Sequence, residues 1–357
     1  MATKPRTVRR PVGEHRAGSR WRGFHIFYHG DRGRLLTELV RPTVGVLLRE
    51  GWIRRFFFIR YHLGGPHVRL RLEHAPGRGD EVRDRVEEAA AAYFARVPST
   101  ERVPDEAVRR ENRAILASDP LAAEREDAVY PDNSVREFPV VFEVERYGGA
   151  ALLDGSLDFF ALSSVEALHL LAGLAGQASG GRLVHVARVL VRQAWGFARS
   201  GAELADLLGY AVHLMGDPLA DFVSHGDRAF ERSRAALDRL LREELTALAA
   251  RDPAGSAGPV FTGAEAARRL AREVRSGADE PVRRRIALSQ LHMTANRAGL
   301  LNPEEVYLGR MLWRAALELA EADPSSWSAA WEARRQQETA AGRLSSMVGP
   351  ALETLCV

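Results

Sequence analysis

Cysteine is all but missing from this chain: Cys356 stands alone, so no intramolecular disulfide can form. That usage fits a reducing compartment, and a cytoplasmic location is expected. Lysine is equally scarce. Lys4 is the only one among 50 basic residues, a bias that points to a GC-rich coding sequence more than to a nucleic-acid-binding surface. No apolar run approaches the roughly 20 residues of a membrane span, and no hydrophobic segment follows the basic amino terminus as a secretory signal would. A phosphate-cradling glycine loop, a dinucleotide fingerprint, an H-E-x-x-H helix, paired C-x-x-C motifs and a nucleophile elbow are all lacking. Nucleotide, nicotinamide, zinc and serine-hydrolase chemistry lose their usual supports, and neither a cofactor nor a metal is expected.

What is present is the balance of a globular protein: 357 residues, 46% hydrophobic and 27% charged. The formal net charge of +3 is unevenly placed. Residues 1–22 hold Lys4 and six arginines against Glu14 alone, together with Pro5, Pro11, Gly13 and Gly18. This segment reads as a disordered basic arm. The rest of the chain is mildly acidic, so the high pI argues for a tethered contact and not for a nucleic-acid-binding body.

Periodicity orders the remainder. Trp21–His29 reads as a strand, 33–50 as a helix interrupted at Pro42, and Arg54–His62 and His67–His74 as a hairpin around Gly64-Gly65. Residues 79–96 read as a helix, 97–136 as a variable stretch with one short helix, and 138–147 as a last strand ending at Gly148-Gly149. The β-α-β-β-α-β order predicts an α+β fold with a ferredoxin-like unit over 23–150. A largely helical region, 151–357, should pack on it, with a linker at 252–263 and helices that include 164–175 and 325–341. Ser163-Ser164 read as a helix cap.

Two patterns carry chemistry. Within the second hairpin strand His67, Arg69 and Arg71 alternate with Val68 and Leu70. Pairing across the turn was expected to bring Arg60 and His62 onto the same face, making it cationic and free of stacking aromatics. Later, Pro281 opens a helix on which Arg285, Ser289, His292 and Asn296 form one line. His292 could be an acid/base group there, or a buried histidine satisfied by Ser289 and Asn296.

Three segments together resemble a known family. They are Phe57-Phe58-Ile59-Arg60-Tyr61 through His67-Val68-Arg69-Leu70-Arg71, Glu143-Val144-Glu145-Arg146-Tyr147-Gly148-Gly149, and Ser289-Gln290-Leu291-His292-Met293-Thr294-Ala295-Asn296-Arg297. In order and spacing they are similar to the C-terminal domain of lantibiotic dehydratases and to free-standing thiopeptide-type bacteriocin biosynthesis proteins, over about residues 21–320. Arg136-Glu137-Phe138-Pro139 departs from the Tyr-containing form of that pattern. The resemblance implies one of two reactions on a precursor peptide made of leader and dehydrated core. A pyridine synthase joins two dehydroalanines in a formal aza-[4+2] cycloaddition with loss of water and leader; an elimination enzyme removes glutamate from glutamylated Ser or Thr. The first is expected, because the 97–136 segment and the arm add length that could grip a leader. A non-catalytic peptide-binding subunit is the reading from another class. The resemblance assigns His292, Ser289 and Tyr147 to acid/base work, and Arg60, His67, Arg69, Arg71, Arg146, Arg285 and Asn296 to holding the peptide. Other maturation enzymes are expected partners; a membrane and nucleic acid are not.

Overall fold

The computed structural model describes residues 20–118, 128–174, 179–250, 262–322 and 345–355. The expected arm falls mostly on 1–19, outside those residues, while Trp21 and Arg22 open β1 (Trp21–Phe27). The expected helix at 325–341 and linker residues 252–261 also lie outside the described residues.

After β1 the chain forms α1 (Arg32–Leu35), a π turn (Leu36–Val40) and α2 (Arg41–Arg49). Pro42 sits in the first turn of α2, and the wide turn before it makes room for a ring that would strike the carbonyl four residues back. The hairpin follows as β2 (Ile53–Tyr61) and β3 (His67–His74), then α3 (Gly79–Arg96), α4 (Asp105–Ser118) and β4 (Ser134–Phe138). The strand expected over 138–147 is corrected: pairing stops at Phe138 beside Pro139, which has no N–H, and Val144–Tyr147 is a 3-10 turn. Gly148 closes that turn at φ 83°, where an added Cβ would meet Leu152 Cδ1 at 2.7 Å.

The sheet order is β2-β3-β1-β4, antiparallel throughout, which is the ferredoxin-like split β-α-β arrangement. One sheet face carries Phe24, Ile26, Phe56, Phe58, Val68, Leu70 and Leu72, all buried in a core continuous with the helices that follow.

Those helices are α5 (Ala150–Gly173), α6 (Ser179–Phe197), α7 (Gly201–Leu208), α8 (Tyr210–Met215), α9 (Ala220–Ala249), α10 (Thr262–Gly277), α11 (Glu280–Ala298) and α12 (Asn302–Ala322), with a short helix at Ser345–Glu353. Ser163 and Ser164 do not cap a helix; both are buried inside α5. Arg55 of β2 pins α5 to the sheet through ion pairs with Glu73, Asp154 and Asp158. Burial still raises the Asp158 carboxyl to about 6 against that attraction. Among the described residues no helix is long and apolar enough to cross a membrane.

Candidate active site

β2 is an edge strand, and edges left unpaired invite other chains. Here side chains close it. Ser164 Oγ accepts from Phe58 N at 3.2 Å, and Arg297 Nε donates to Phe58 O at 2.9 Å. The Asn296 amide takes the place of a strand partner: Oδ1 accepts from Arg60 N at 2.8 Å and Nδ2 donates to Arg60 O at 3.0 Å. The Asn-Arg pair ending the third motif therefore docks α11 on the sheet.

Register decides the other face. Directly opposed residues share a side, and the pairs are Phe57 with Arg71, Ile59 with Arg69 and Tyr61 with His67. The expectation that Arg60 and His62 join Arg69 and Arg71 is thus corrected. Arg60 lies on the opposite side, and the face carries Phe57, Tyr61, His25, Phe27 and Phe138 instead. It is aromatic, against expectation, but its rings pack on one another: His25 stacks on His67 at 4.8 Å and on Phe138 at 4.2 Å.

His67 is fully buried, with Nδ1 bonded to Gly65 O at 2.8 Å and Nε2 accepting from Arg69 Nε at 3.2 Å. Desolvation and then the Arg69 charge hold its pKa well below the ordinary value, so it is neutral. Arg69 lies over the Tyr61 ring at 3.6 Å. Arg71 lies over Phe57 at 5.4 Å and, among the described residues, makes no ion pair. Burial lowers its pKa, with Glu143 acting partly against that.

Asp279 caps the N-terminus of α11, its Oδ1 accepting from Val282 N at 3.1 Å, and Gly299 ends the helix at φ 90°. The polar stripe then divides. Arg285 donates to Glu145 O at 3.1 Å and Arg146 O at 3.3 Å, fixing the 3-10 turn. Ser289 Oγ accepts from Arg146 Nε at 3.0 Å and lies 3.0 Å from the Tyr147 hydroxyl. Burial raises the Tyr147 pKa, while the Ser289 hydrogen bond and the Arg146 charge lower it; burial dominates, so the phenol stays protonated near neutrality. Arg146 and Ser289 line a cleft of about 450 Å³ together with Glu280, Arg284, Arg285 and Leu288.

His292 is satisfied neither by Ser289 nor by Asn296. Its Nδ1 lies 2.8 Å from Glu305 Oε1 of α12, a carboxylate 1% exposed, while 20% of the imidazole side chain remains accessible. A carboxylate on one ring nitrogen orients the ring and leaves the other for proton transfer. Sequence reasoning missed Glu305; its one local signal is the Asn302-Pro303-Glu304-Glu305 start of α12, which says nothing about a partner on α11. Ser289, Arg146 and Arg285 thus line one cleft, and Tyr147 is buried against Ser289; His292 sits one turn along the helix, and Arg69, Arg71 and His67 lie on the aromatic sheet face. Arg60 and Asn296 bond to each other through the β2 backbone.

A ferredoxin-like sheet backed by helices, with a hydrogen-bonded Tyr–Ser–Arg set joining its second and third motifs, defines the fold and site class. The family model described as lantibiotic biosynthesis dehydratase C-term matches residues 21–316, and the chain belongs to that family. Membership supports a role in maturing ribosomally made peptides. The fold is similar to that of "Pyridine synthase, TbtD, from thiomuracin biosynthesis", at 21% identity and a TM-score of 0.67, covering 85% of this chain and 99% of that one. It is also similar to TsrL, at 16% identity and a TM-score of 0.53, over 87% of this chain and 98% of that one. The tRNA-dependent lantibiotic dehydratase MibB from Microbispora sp. 107891 aligns at 20% identity and a TM-score of 0.49, over 87% of this chain and 29% of that one. No curated protein matches.

Proposed function

We propose that this chain is a peptide-maturation enzyme of the pyridine-synthase kind, joining two dehydroalanines of a precursor peptide in a formal aza-[4+2] cycloaddition. The observation that carries the reading is the hydrogen-bonded series Arg146–Ser289–Tyr147, of which Arg146 and Ser289 line a cleft and Tyr147 is buried against Ser289. The reaction needs two olefins held in register and one amide turned into its iminol, with a proton leaving nitrogen as another reaches oxygen. Tyr147, kept protonated, passes a proton to Ser289, which lines the cleft and relays it to the amide oxygen. His292, oriented by Glu305, returns protons as water and then the leader amide depart. Likeness to TbtD is one of fold and supports the reading to that extent.

One observation favours glutamate elimination instead. Arg71 is a half-buried cation without an ion pair among the described residues. It suits the carboxylate of a departing glutamate, while a base takes the Cα proton and the ester C–O bond breaks.

The assay mixes purified protein with a leader-bearing peptide containing two dehydroalanines. Release of the leader with a new pyridine chromophore is expected; an unchanged peptide mass overturns the proposal. Loss of glutamate from a glutamylated peptide establishes elimination. Arg71→Gln should abolish elimination but cost cycloaddition only in KM.

A further inference from the structure

A second basic cluster lies away from the cleft, where β2 runs up to the turn between α11 and α12. Arg60 reaches the C-terminal end of α11: its Nε donates to Arg297 O at 3.4 Å. Its Cζ would stand 3.1 Å from a Cβ on Gly299, so glycine there leaves space for the guanidinium. Arg182 of α6 comes in from the other side, donating to Gly299 O at 3.1 Å and to Glu304 Oε1 at 2.7 Å. Arg32 of α1 donates to Tyr61 O at 3.4 Å, next to Arg60 in the chain, and lies 3.2 Å from His62 Nε2. Burial and the Arg32 and Arg182 charges bring the Arg60 pKa down to about 9, which places the three guanidiniums in each other's field.

Nearby carboxylates offset the cluster only in part: Glu304 pairs with Arg182, and Asp31 and Glu111 act through space on Arg32, Asp31 also on Arg60, while each has a further partner. Glu304 holds Arg182 and also accepts from Leu301 N at 3.0 Å; Asp31 Oδ1 accepts from Gly33 N at 2.7 Å; Glu111 pairs with His62 at 3.1 Å. Among the described residues Arg60 has no ion pair, only its single long bond to a carbonyl. Cations at a helix C-terminus are favoured. That accounts for Arg60 Nε and Arg182 Nη1, but not for a third guanidinium, nor for the terminal nitrogens of Arg60, which have no acceptor among the described residues. At the rim stands Leu301, two residues beyond Gly299 and 55% exposed.

We propose that Arg32, Arg60 and Arg182 form a docking subsite for an acidic side chain of the peptide substrate, with an adjoining apolar side chain resting on Leu301. Charge complementarity selects the occupant: a carboxylate satisfies the Arg60 nitrogens and relieves the mutual repulsion of the cluster. The subsite rests on the reading that this protein acts on a peptide, and it does not depend on the ring-forming chemistry. It puts a contact at the far end of α11 from Ser289, so the helix that carries the reactive hydroxyl also spans from chemistry to docking.

The probe is a fluorescein-labelled hexapeptide of alternating Glu and Leu, with a Gln-for-Glu counterpart, read by anisotropy at about 50 mM salt, where screening is modest. The Glu peptide should bind at least about tenfold tighter than the Gln peptide. Arg182→Gln should weaken it about tenfold. Leu301→Glu, at an exposed position where folding is not at stake, should do the same by repulsion. Arg34→Gln, which removes an equal charge from an exposed pair with Glu38, should leave the dissociation constant within about twofold. Equal binding of the two peptides overturns the subsite, as does a loss in Arg34→Gln matching that in Leu301→Glu. None of these constants needs turnover, so a protein inactive on dehydroalanine peptides still tests the subsite.

Discussion

At the C-terminal end of α11, Asn296 directs its hydrogen bonds to the backbone of β2, as does Arg297 through Nε, while Arg297 Nη1 reaches the buried Ser163 hydroxyl. One to two turns earlier, Ser289 and His292 bond to other side chains: Arg146, Tyr147 and Glu305. The residues are of one kind, polar groups on a mostly buried helix, and only the nature of the partner differs. A backbone carbonyl or N–H neither titrates nor swings away, so bonds to it hold position. A tyrosine, an arginine or a carboxylate partner can pass or polarise a proton. The C-terminal end of α11 is a clamp and its middle is where chemistry can occur, although both belong to one motif.

The largest expected effect tests the clamp. Arg297→Ala should lower unfolding stability by about 3 kcal/mol in urea melts, because it strands the Phe58 carbonyl and leaves a cavity under Phe160. Unchanged stability would break the comparison from that side. Next, Tyr147→Phe should lower kcat about 100-fold while changing stability by only about 1 kcal/mol. A variant that loses stability but keeps kcat would place Tyr147 with the scaffold. Removing the cap shared by both halves, Asp279→Ala, should cost about 1 kcal/mol, with kcat and clamp integrity falling no further than the melt predicts.

The smallest effect concerns the remaining side of α11. Glu166 accepts from Gln193 Nε2 at 2.9 Å, and Gln193 Oε1 accepts from Thr294 at 2.8 Å. Desolvation raises the Glu166 carboxyl to about 7. Folding therefore favours its protonated form. That contribution is whole below pH of about 4.5, falls as pH rises above it, and is lost once pH passes 7. Glu166→Gln should flatten stability over that window and be the more stable protein at pH 8. A wild-type melt flat from pH 5 to pH 8 would sink the assignment.

Much of the fold was legible because strands and helices write their periods into the chain. Element order, the hairpin turn at Gly64-Gly65, and the span of α11 between Pro281 and Gly299 could be read directly. The sheet face could not. Alternation within each strand was plain, but pairing Tyr61 with His67 put Phe57, Ile59 and Tyr61 beside the arginines, where a one-residue shift would have put Arg60 and His62 there. Ser163 and Ser164 looked like a cap because serine favours caps; inside α5 they instead serve Arg297 and the Phe58 N–H. Pro139 signalled the end of β4, yet the aromatic and β-branched run around it outweighed that signal. That Tyr147, Ser289 and Arg146 are candidates was legible from motif resemblance, whereas Glu305 was not, since nothing local couples two helices.

By itself, then, the sequence determined the class of fold, the family and the residue types available for proton transfer. These follow from local periodicity and short motifs, in which each residue is constrained mainly by near neighbours in the chain. Tertiary structure decided which of those groups are scaffold and which stand at a cleft. Burial, strand register and the meeting of α11 with α12 depend on contacts between residues far apart in sequence, and the same asparagine or histidine serves either end depending on what packs against it.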